Sequence, residues 1–485
     1  MTNAVFNPLT TAQEDYVHET SLRILEEVGI KVTSVPVLSM LKEHGADVDS
    51  RAEIAKLPES LVVEALSNAP KEFMMCGRDE AHNLKLPADY PQGVNDGQPT
   101  YMWDIDSQSK RSSTIDDLID IAIVCDAMPE VDLFWPEVVA TDLPPEVSNC
   151  HEFVASLFFT GKHVQHGAGN LKDARFLIDA AAAIVGSEKE LARKTIISIT
   201  HTPMTPLRYE AGDVDAVVEF AKAGLPVVHL SMAISGSVAP VSLVGTVALV
   251  NAENLAGAVI SELAAPGAPI LYSSESGPMD MRTGVFLSGS TEGSLINAAG
   301  CQMARRYRLP SQVGGIAASG CRPGFEVGYQ KAISGLLPAM AGADQVVGIG
   351  GIERSGCESL EQIIMDCELW RNIIRAWKGI EVNEATMAFD AIARVGPGGY
   401  FMKDPHTLRH FRSEILLPEI AMLPADGRNG GEPMNAAAVK EAKKLLAEHR
   451  CTPLEPNIQK DIIALLRLYD KSIIDRVVPT DYLER

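Results

Sequence analysis

The eight cysteines of this 485-residue chain form no Cys-x-x-Cys pair. The commonest short-spaced zinc and redox signatures are therefore missing. An export signal is missing too: Met1 to Thr11 has neither a basic region nor an apolar core. Scattered cysteines in a large chain without such a signal read as reduced thiols, and the expected compartment is the cytoplasm. No apolar run is long and clean enough to read as a membrane span. The most apolar stretch, Val238 to Ala265, carries Asn251, Glu253, Asn254 and Glu262 and reads as a buried amphipathic helix rather than a membrane span. Positive charge is scarce, 42 Lys and Arg against 64 Asp and Glu, a formal charge of −22. Such a chain repels phosphate backbones, which excludes nucleic acid as an expected partner. No Walker loop, nucleophile elbow, internal sequence repeat or low-complexity tract occurs.

What is present is a periodic globular sequence, 46% hydrophobic and 22% charged. Eight short apolar runs recur, each followed by a helical pattern: Gly93–Tyr101, Asp132–Thr141, Lys162–Gly167, Lys194–Thr202, Leu225–Met232, Pro269–Ser274, Leu309–Ala317 and Asp344–Gly350. Parallel strands need crossover helices, so this order predicts an α/β chain forming a (β/α)8 TIM barrel. The expected division is a helical cap over 1–90, the barrel over 91–378 and a helical extension over 379–485. Within it, a strand-like piece is expected over Gly29–Val32, and helices are predicted over Thr11–Glu27 (stopped by Gly29), Val35–His44, Pro58–Asn68, Tyr209–Ala223, Val241–Ala264, Gly289–Arg306, Glu326–Ala341 and Ser359–Trp377. Ser113 to Asp116 reads as a capping box. In the extension, helices are expected over Ala385–Arg394, Thr407–Leu416, Asn435–Glu448 and Ile458–Tyr469, with a Gly- and Asn-rich loop from Asp426 to Pro433. The stripe Ile462, Leu465, Leu466 and Tyr469 is expected to serve packing or contact in a homo-oligomer.

A barrel carries its chemistry at the C-terminal ends of its strands. At or near those ends stand Asp96, Trp135 with Glu137, His166, His201, His229, Glu275 and Glu353. Each could equally be a hydrogen-bonded cap. His163 and His166, three apart on one strand, point to opposite faces and make a poor ligand pair; no bound metal is expected. Gly314-Gly315 and Gly348-x-Gly350-Gly351 allow a phosphate cradle or the close approach of a bulky ligand, and the second is favoured because no lysine stands among them. Tyr101, Trp103, Phe134 and Trp135 accompany Asp96 and Glu137, and Glu275 could join them. Aromatic faces with carboxylates suit a quaternary ammonium, since cation–π contact contributes up to about 2 kcal/mol when desolvated; ordinary packing accounts for the same residues.

Further along, Val395-Gly396-Pro397-Gly398-Gly399-Tyr400-Phe401-Met402 and the following Lys403 to Glu414 resemble a signature of trimethylamine:corrinoid methyltransferases. The order Gly314-Gly315, Gly328-Tyr329-Gln330-Lys331, Ala341 to Asp344 and Gly348 to Gly351, with Arg23 to Val32 near the start, follows the same family. Tyr400 departs from it, standing where the family has a histidine. The trimethylamine branch carries pyrrolysine, and the equivalent position falls near Cys321 in Ser319-Gly320-Cys321-Arg322; no such residue occurs here. The resemblance therefore implies the branch lacking pyrrolysine, which acts on quaternary amines such as glycine betaine. A quaternary nitrogen has no lone pair to capture, and its leaving group is already a neutral amine. The implied reaction moves a methyl group to Co(I) of a corrinoid (cobalamin) held on a separate corrinoid protein. From their strand-tip positions, Tyr101, Trp135 and Glu137, with Glu275, are expected around the cation, and His166, His201, His229 or Arg322, beside Cys321, toward a carboxylate. Two other readings stand: a lyase or aldolase on the same barrel, and a non-catalytic quaternary-amine-binding protein.

Overall fold

A computed structural model of the chain describes residues 5–421 and 433–485; most of the loop expected at Asp426 to Pro433 lies outside them. Its centre is a curled seven-stranded parallel sheet: β1 (Gln92–Asn95), β2 (Val164–Gly167), β3 (Ile197–His201), β4 (Val227–Ser231), β5 (Ile270–Ser274), β6 (Ser311–Gly314) and β7 (Gln345–Ile349). The spatial order is β1-β7-β6-β5-β4-β3-β2. Each strand is an apolar run because helices cover its outer face and the core its inner one.

The second predicted run forms no strand. Pro136 lacks the N–H a central strand must donate, and the Asn95 side chain takes both backbone groups of Trp135, accepting its N–H at 2.8 Å and donating to its carbonyl. Between β1 and β2 the contact is reduced to two single parallel bridges, Val94 with Leu133 and Phe134 with Val164.

Inside the curl, apolar side chains including Val94, Leu133, Val228, Leu230, Leu271 and Val347 meet Met75, Leu84 and Leu86 from a preceding hairpin. A chain of buried amides spans the same space. Gln312 donates to Gln165 and Gln345, both at 2.9 Å, and Gln345 donates to Gln92 at 3.0 Å. Every buried amide in it is answered, so the polar layer is retained without an orphan.

The N-terminal region holds the strand expected at Gly29–Val32 and a further hairpin. Helices Thr11–Arg23, Val35–Glu43 and Glu59–Asn68 accompany a small sheet in which Ile30–Val32 pairs with Ile54–Lys56 and, in parallel, with Arg208–Tyr209 from the loop after β3. That pairing fastens the N-terminal region to the loop after β3. The first helix ends in a π turn, Ile24–Val28, before Gly29 at φ 83°. The expected capping box sits one residue later, with Thr114 accepting from Asp117 N–H at 3.3 Å and Asp117 accepting from Thr114 N–H at 2.9 Å. Two crossover helices, Ser148–Phe159 and Leu171–Val185, complete the outer layer. The helix Leu243–Ala264 is long and apolar enough to cross a membrane, but 83% of its apolar window is buried. It is not amphipathic: every residue from Thr246 to Glu262 is buried, and an element apolar on all sides needs covering on all sides.

In the C-terminal region, Met434–Glu448 lies on Leu360–Trp377 and Ile115–Ala127, and Pro456–Ile474 lies on Leu171–Val185 and Ser148–Phe159. Ile462, Leu466 and Tyr469 are thereby buried, while Leu465 is partly buried. The stripe expected to serve packing or an oligomer packs within the chain. His151 secures it, bonding Asp470 at 3.0 Å and the Tyr482 hydroxyl at 2.5 Å.

Candidate active site

A cavity of about 250 Å³ opens at the C-terminal ends of the strands. Asp96 and Gln98 follow β1, Trp135 stands on the bridging segment, Glu275 and Ser276 follow β5, and Arg354 and Ser355 follow β7. Asn297 braces two of these ends, accepting from Ser274 at 2.8 Å and donating to the Gly314 carbonyl at 3.0 Å.

Gly314 and Gly315, at the end of the sixth strand, line the cavity, and Gly350 and Gly351 follow the seventh. They make room for the chain's own carboxylates. A Cβ on Gly314 would lie 2.7 Å from Cγ of Glu275, and one on Gly97 would lie 3.2 Å from the Trp135 ring. A Cβ on Gly351 would overlap the Asp96 carboxyl, and one on Gly350, at φ 98°, the Glu358 carboxyl. Gly350 is held from behind: its N–H donates at 2.8 Å to Asp366, which is ion-paired at 2.5 Å with the fully buried Lys331. Lys331 also donates to the Gly348 carbonyl at 3.0 Å.

Around this turn gather Asp96, Glu137, Glu275 and Glu358. Burial, then the neighbouring Asp96 charge, pushes Glu275 up to about 8. Burial raises Asp96, against the pull of Ser355 and the Gly97 N–H. Burial and the Asp96 charge raise Glu137 well above the carboxylate range, and burial with Glu137 and Asp96 does the same to Glu358. Neither oxygen of Glu137 has a hydrogen-bond partner among the described residues, nor has the Trp135 indole N–H. Several buried carboxyls that repel one another prefer to stay protonated until a cation arrives.

Arg354 is presented by unusual backbone. Glu353, Arg354 and Ser355 all have positive φ, 54°, 63° and 57°, a conformation that costs non-glycine residues of order 1–3 kcal/mol each. It is held by the Glu353 N–H to Gly320 at 2.7 Å, the Arg354 N–H to Ala318 at 2.8 Å and the Glu353–Lys110 ion pair at 2.5 Å.

Of the residues expected at the site, the structure brings Trp135 and Glu275 into the cavity wall and Glu137 behind it. Tyr101 stays outside, in a four-stranded outer sheet, its face covered by Lys110 at 4.1 Å. The three histidines face away. Gln165 and Thr200 point to the inner face of the curled sheet, so their neighbours His166 and His201 point out, and His229 lies between inward Val228 and Leu230. His166 bonds the Asn149 carbonyl at 2.9 Å and stacks on Phe153; His229 bonds Ser261 at 3.0 Å. His201 opens instead on a neighbouring depression of about 390 Å³, against Asp213 and Gly167 to Gly169, which shares Gln98 with the cavity. Burial pushes His166 and His201 down to about 4, so they are neutral and offer no charge to a carboxylate. Cys321 and Arg322 lie exposed on the loop after β6 and do not line the cavity.

Sequence reasoning missed Glu358 and Arg354. Glu358 returns to the site on a two-residue strand, Cys357–Glu358, paired with Gly351–Ile352. The signal was the double glycine before it, whose missing Cβ atoms are the space Asp96 and Glu358 fill.

The profile of the family described as trimethylamine methyltransferase (MTTB) matches residues 1–468. A trimethylamine methyltransferase of Methanosarcina barkeri is 32% identical over 482 residues, covering 96% of each chain. A glycine betaine methyltransferase of Desulfitobacterium hafniense is 28% identical over 472 residues, covering 96% of this chain and 98% of its own. Among solved structures, the monomethylamine methyltransferase of Methanosarcina barkeri shares the fold at a TM-score of 0.54 and 13% identity, covering 92% of this chain and 90% of its own. By sequence over nearly its whole length, with a parallel α/β architecture to match, this chain is an enzyme of the trimethylamine methyltransferase family.

Proposed function

We infer that the protein transfers a methyl group from a quaternary amine, glycine betaine before others, to Co(I) of a corrinoid carried by a partner protein. The observation that carries this reading is the cavity wall. Buried Asp96 and half-buried Glu275 stand there with the Trp135 ring, and Arg354 joins the same wall. A permanent cation would draw the protons off the carboxyls and rest against the indole face. A carboxylate one carbon away would find the guanidinium, the natural partner for it. Choline and tetramethylammonium lack that second charge. The relative named for glycine betaine supports the same choice.

The acceptor supplies a two-electron nucleophile: the methyl C–N bond breaks, a Co–C bond forms, and the nitrogen keeps the electron pair as a neutral tertiary amine. This chain's part is to bind, orient and desolvate. The ordered carboxyls fix the nitrogen, Arg354 sets the direction of the carboxylate end, and one N-methyl is left facing the open side. Exposed Phe325 and Tyr329, stacked 6.2 Å apart on the helix after β6, give that side an apolar rim suited to a corrin face. The eight free cysteines fit a reducing cytoplasm. The two bridges at Leu133 and Phe134 support reading the sheet as a barrel closed by a vestigial eighth strand.

The lyase or aldolase reading loses its support here. Among the described residues no lysine lines the cavity; Lys331 is locked on Asp366, and Lys162 is buried against the Cys125 and Met128 carbonyls. Incubation with Co(I) cobalamin, or a reduced corrinoid protein, and a panel of methylamines tests the proposal by the absorbance of the methylated corrinoid. Methylation by glycine betaine alone is expected. Tight betaine binding without any methylation would leave a sensor protein instead, and trimethylamine as the preferred donor would overturn the substrate.

A further inference from the structure

Three carboxyls are packed at and behind the cavity wall, and the lysine that faces them is already taken. Asp96, Glu137 and Glu358 are 4%, 0% and 0% exposed. They arrive from three separate segments: the end of β1, the stretch just after Trp135 and the strand Cys357–Glu358. Lys331, on helix Phe325–Met340, faces all three, but it is ion-paired with Asp366 at 2.5 Å. Glu137 also faces the Cys125 thiol from helix Ile115–Ala127 and Asn95 from β1, whose amide is spent on the Trp135 backbone.

Neither oxygen of Glu137 finds a donor among the described residues, and one oxygen of Glu358 has none either; its other takes the Ser359 N–H at 3.1 Å. Two ionised carboxylates cut off from water repel each other and cannot bond. One proton between them answers both, because a carboxyl donates where a carboxylate only accepts. Glu358 stands within reach to donate to Glu137.

The methyl transfer proposed above, on which this step rests, changes the charge in the cavity. Before it, the nitrogen is a fixed cation facing Asp96 and Glu275. After it, the nitrogen is neutral, holds the electron pair of the broken C–N bond and still faces carboxylates. We propose that Glu137 and Glu358 keep one proton between them while the quaternary amine is bound, and that Asp96, which borders both, passes it to the nitrogen once the methyl group has left. The O–H bond of Asp96 breaks with its electron pair left on oxygen, and an N–H bond forms with the amine lone pair. Asp96 is refilled from the pair behind it, and the pair from water after the product departs. A protonated amine has no lone pair with which to take the methyl group back from cobalt, so the proton commits the transfer. Half-buried Glu275, in the cavity wall, exchanges its own proton with water and is no such store. Asp96 is the catalytic acid here, and Glu137 and Glu358 are positioning residues that supply it.

Two measurements on the full chain test this. Infrared difference spectra at pH 8, in light and heavy water, should keep a protonated-carboxyl band when tetramethylammonium, which has no carboxyl of its own, is bound. Glu137→Gln and Glu358→Gln should each remove or shift that band. A wild-type complex without the band, or a band that neither variant alters, overturns the proposal. The wild-type spectrum decides even where a variant does not fold. In steady turnover of glycine betaine with a reduced corrinoid protein, Glu137→Gln should lose at least about tenfold at pH 8 but less than about twofold at pH 6, where water reprotonates Asp96 directly. Glu137→Asp should restore most of the loss. An equal loss at both pH values marks a merely structural part and sinks the idea. A wild type that shows the band but methylates no corrinoid refutes the transfer reading, whereas an active wild type without the band refutes this inference alone.

Discussion

Glu275 gives substrate binding a pH dependence with a definite sign. Its carboxyl is pushed up to about 8 by burial and by Asp96, whereas an unfolded glutamate titrates at about 4.3. A quaternary ammonium binds the ionised form. The free protein must therefore release a proton on binding at pH 6 or 7, and affinity must rise as pH climbs toward 8. If only Glu275 titrates, the ionised fraction falls from about one half at pH 8 to about one hundredth at pH 6. The apparent affinity falls with it by roughly fifty-fold, or about 2.3 kcal/mol. Asp96, Glu137 and Glu358, raised by the same burial, can only steepen the slope. The empty protein shows the opposite trend. A carboxyl with a raised folded pKa costs stability as pH rises from about 4.3 to about 8, so melting should drop across that window and recover with ligand. Calorimetry of tetramethylammonium binding, in buffers of different ionisation enthalpy from pH 6 to 8.5, reads both the affinity and the proton released. Flat affinity with no proton release would refute the claim that these carboxyls hold the cation. Glu275→Gln should make the profile shallower without unfolding the chain.

Other substitutions separate the roles around the cavity. Trp135→Ala should weaken quaternary-amine binding by about 1–2 kcal/mol in calorimetry, while Tyr101→Ala should leave it unchanged, because that ring sits outside under Lys110. Arg354→Gln should weaken glycine betaine at least tenfold, roughly 1.4 kcal/mol, and leave tetramethylammonium untouched; an equal loss for both ligands would reduce Arg354 to a structural part. Lys331→Met leaves Asp366 buried and unpaired, so thermal or urea unfolding should show a loss of about 3–5 kcal/mol.

The sequence and the structure agree where a local pattern carries the information. Seven of the eight predicted runs became strands of one parallel sheet, and most predicted helices lie within a few residues of their observed bounds. Periodicity and flanking glycines are sufficient for that, since a strand buried on both faces must be apolar and a helix must be patterned. The run at Asp132–Thr141 failed because its pairing is taken over by the Asn95 side chain, a contact between residues 40 apart that no local window contains.

At the site the division is sharper. Composition and order along the chain were enough to place carboxylates and a tryptophan near strand ends. Which of them meet depends on whether each strand's last residue faces in or out, and a side-chain period of two makes that depend on a single step of register. Hence Trp135 and Glu275 reach the cavity, while His166, His201 and His229 turn away from it. Glu358 and Arg354 arrive only because the chain doubles back after Gly350 and Gly351. Sequence alone determined the kind of fold, the acidic balance and the family; tertiary structure decided which charges share one cavity, because proximity across strands is set by register and backbone path, and neither is written in any one segment.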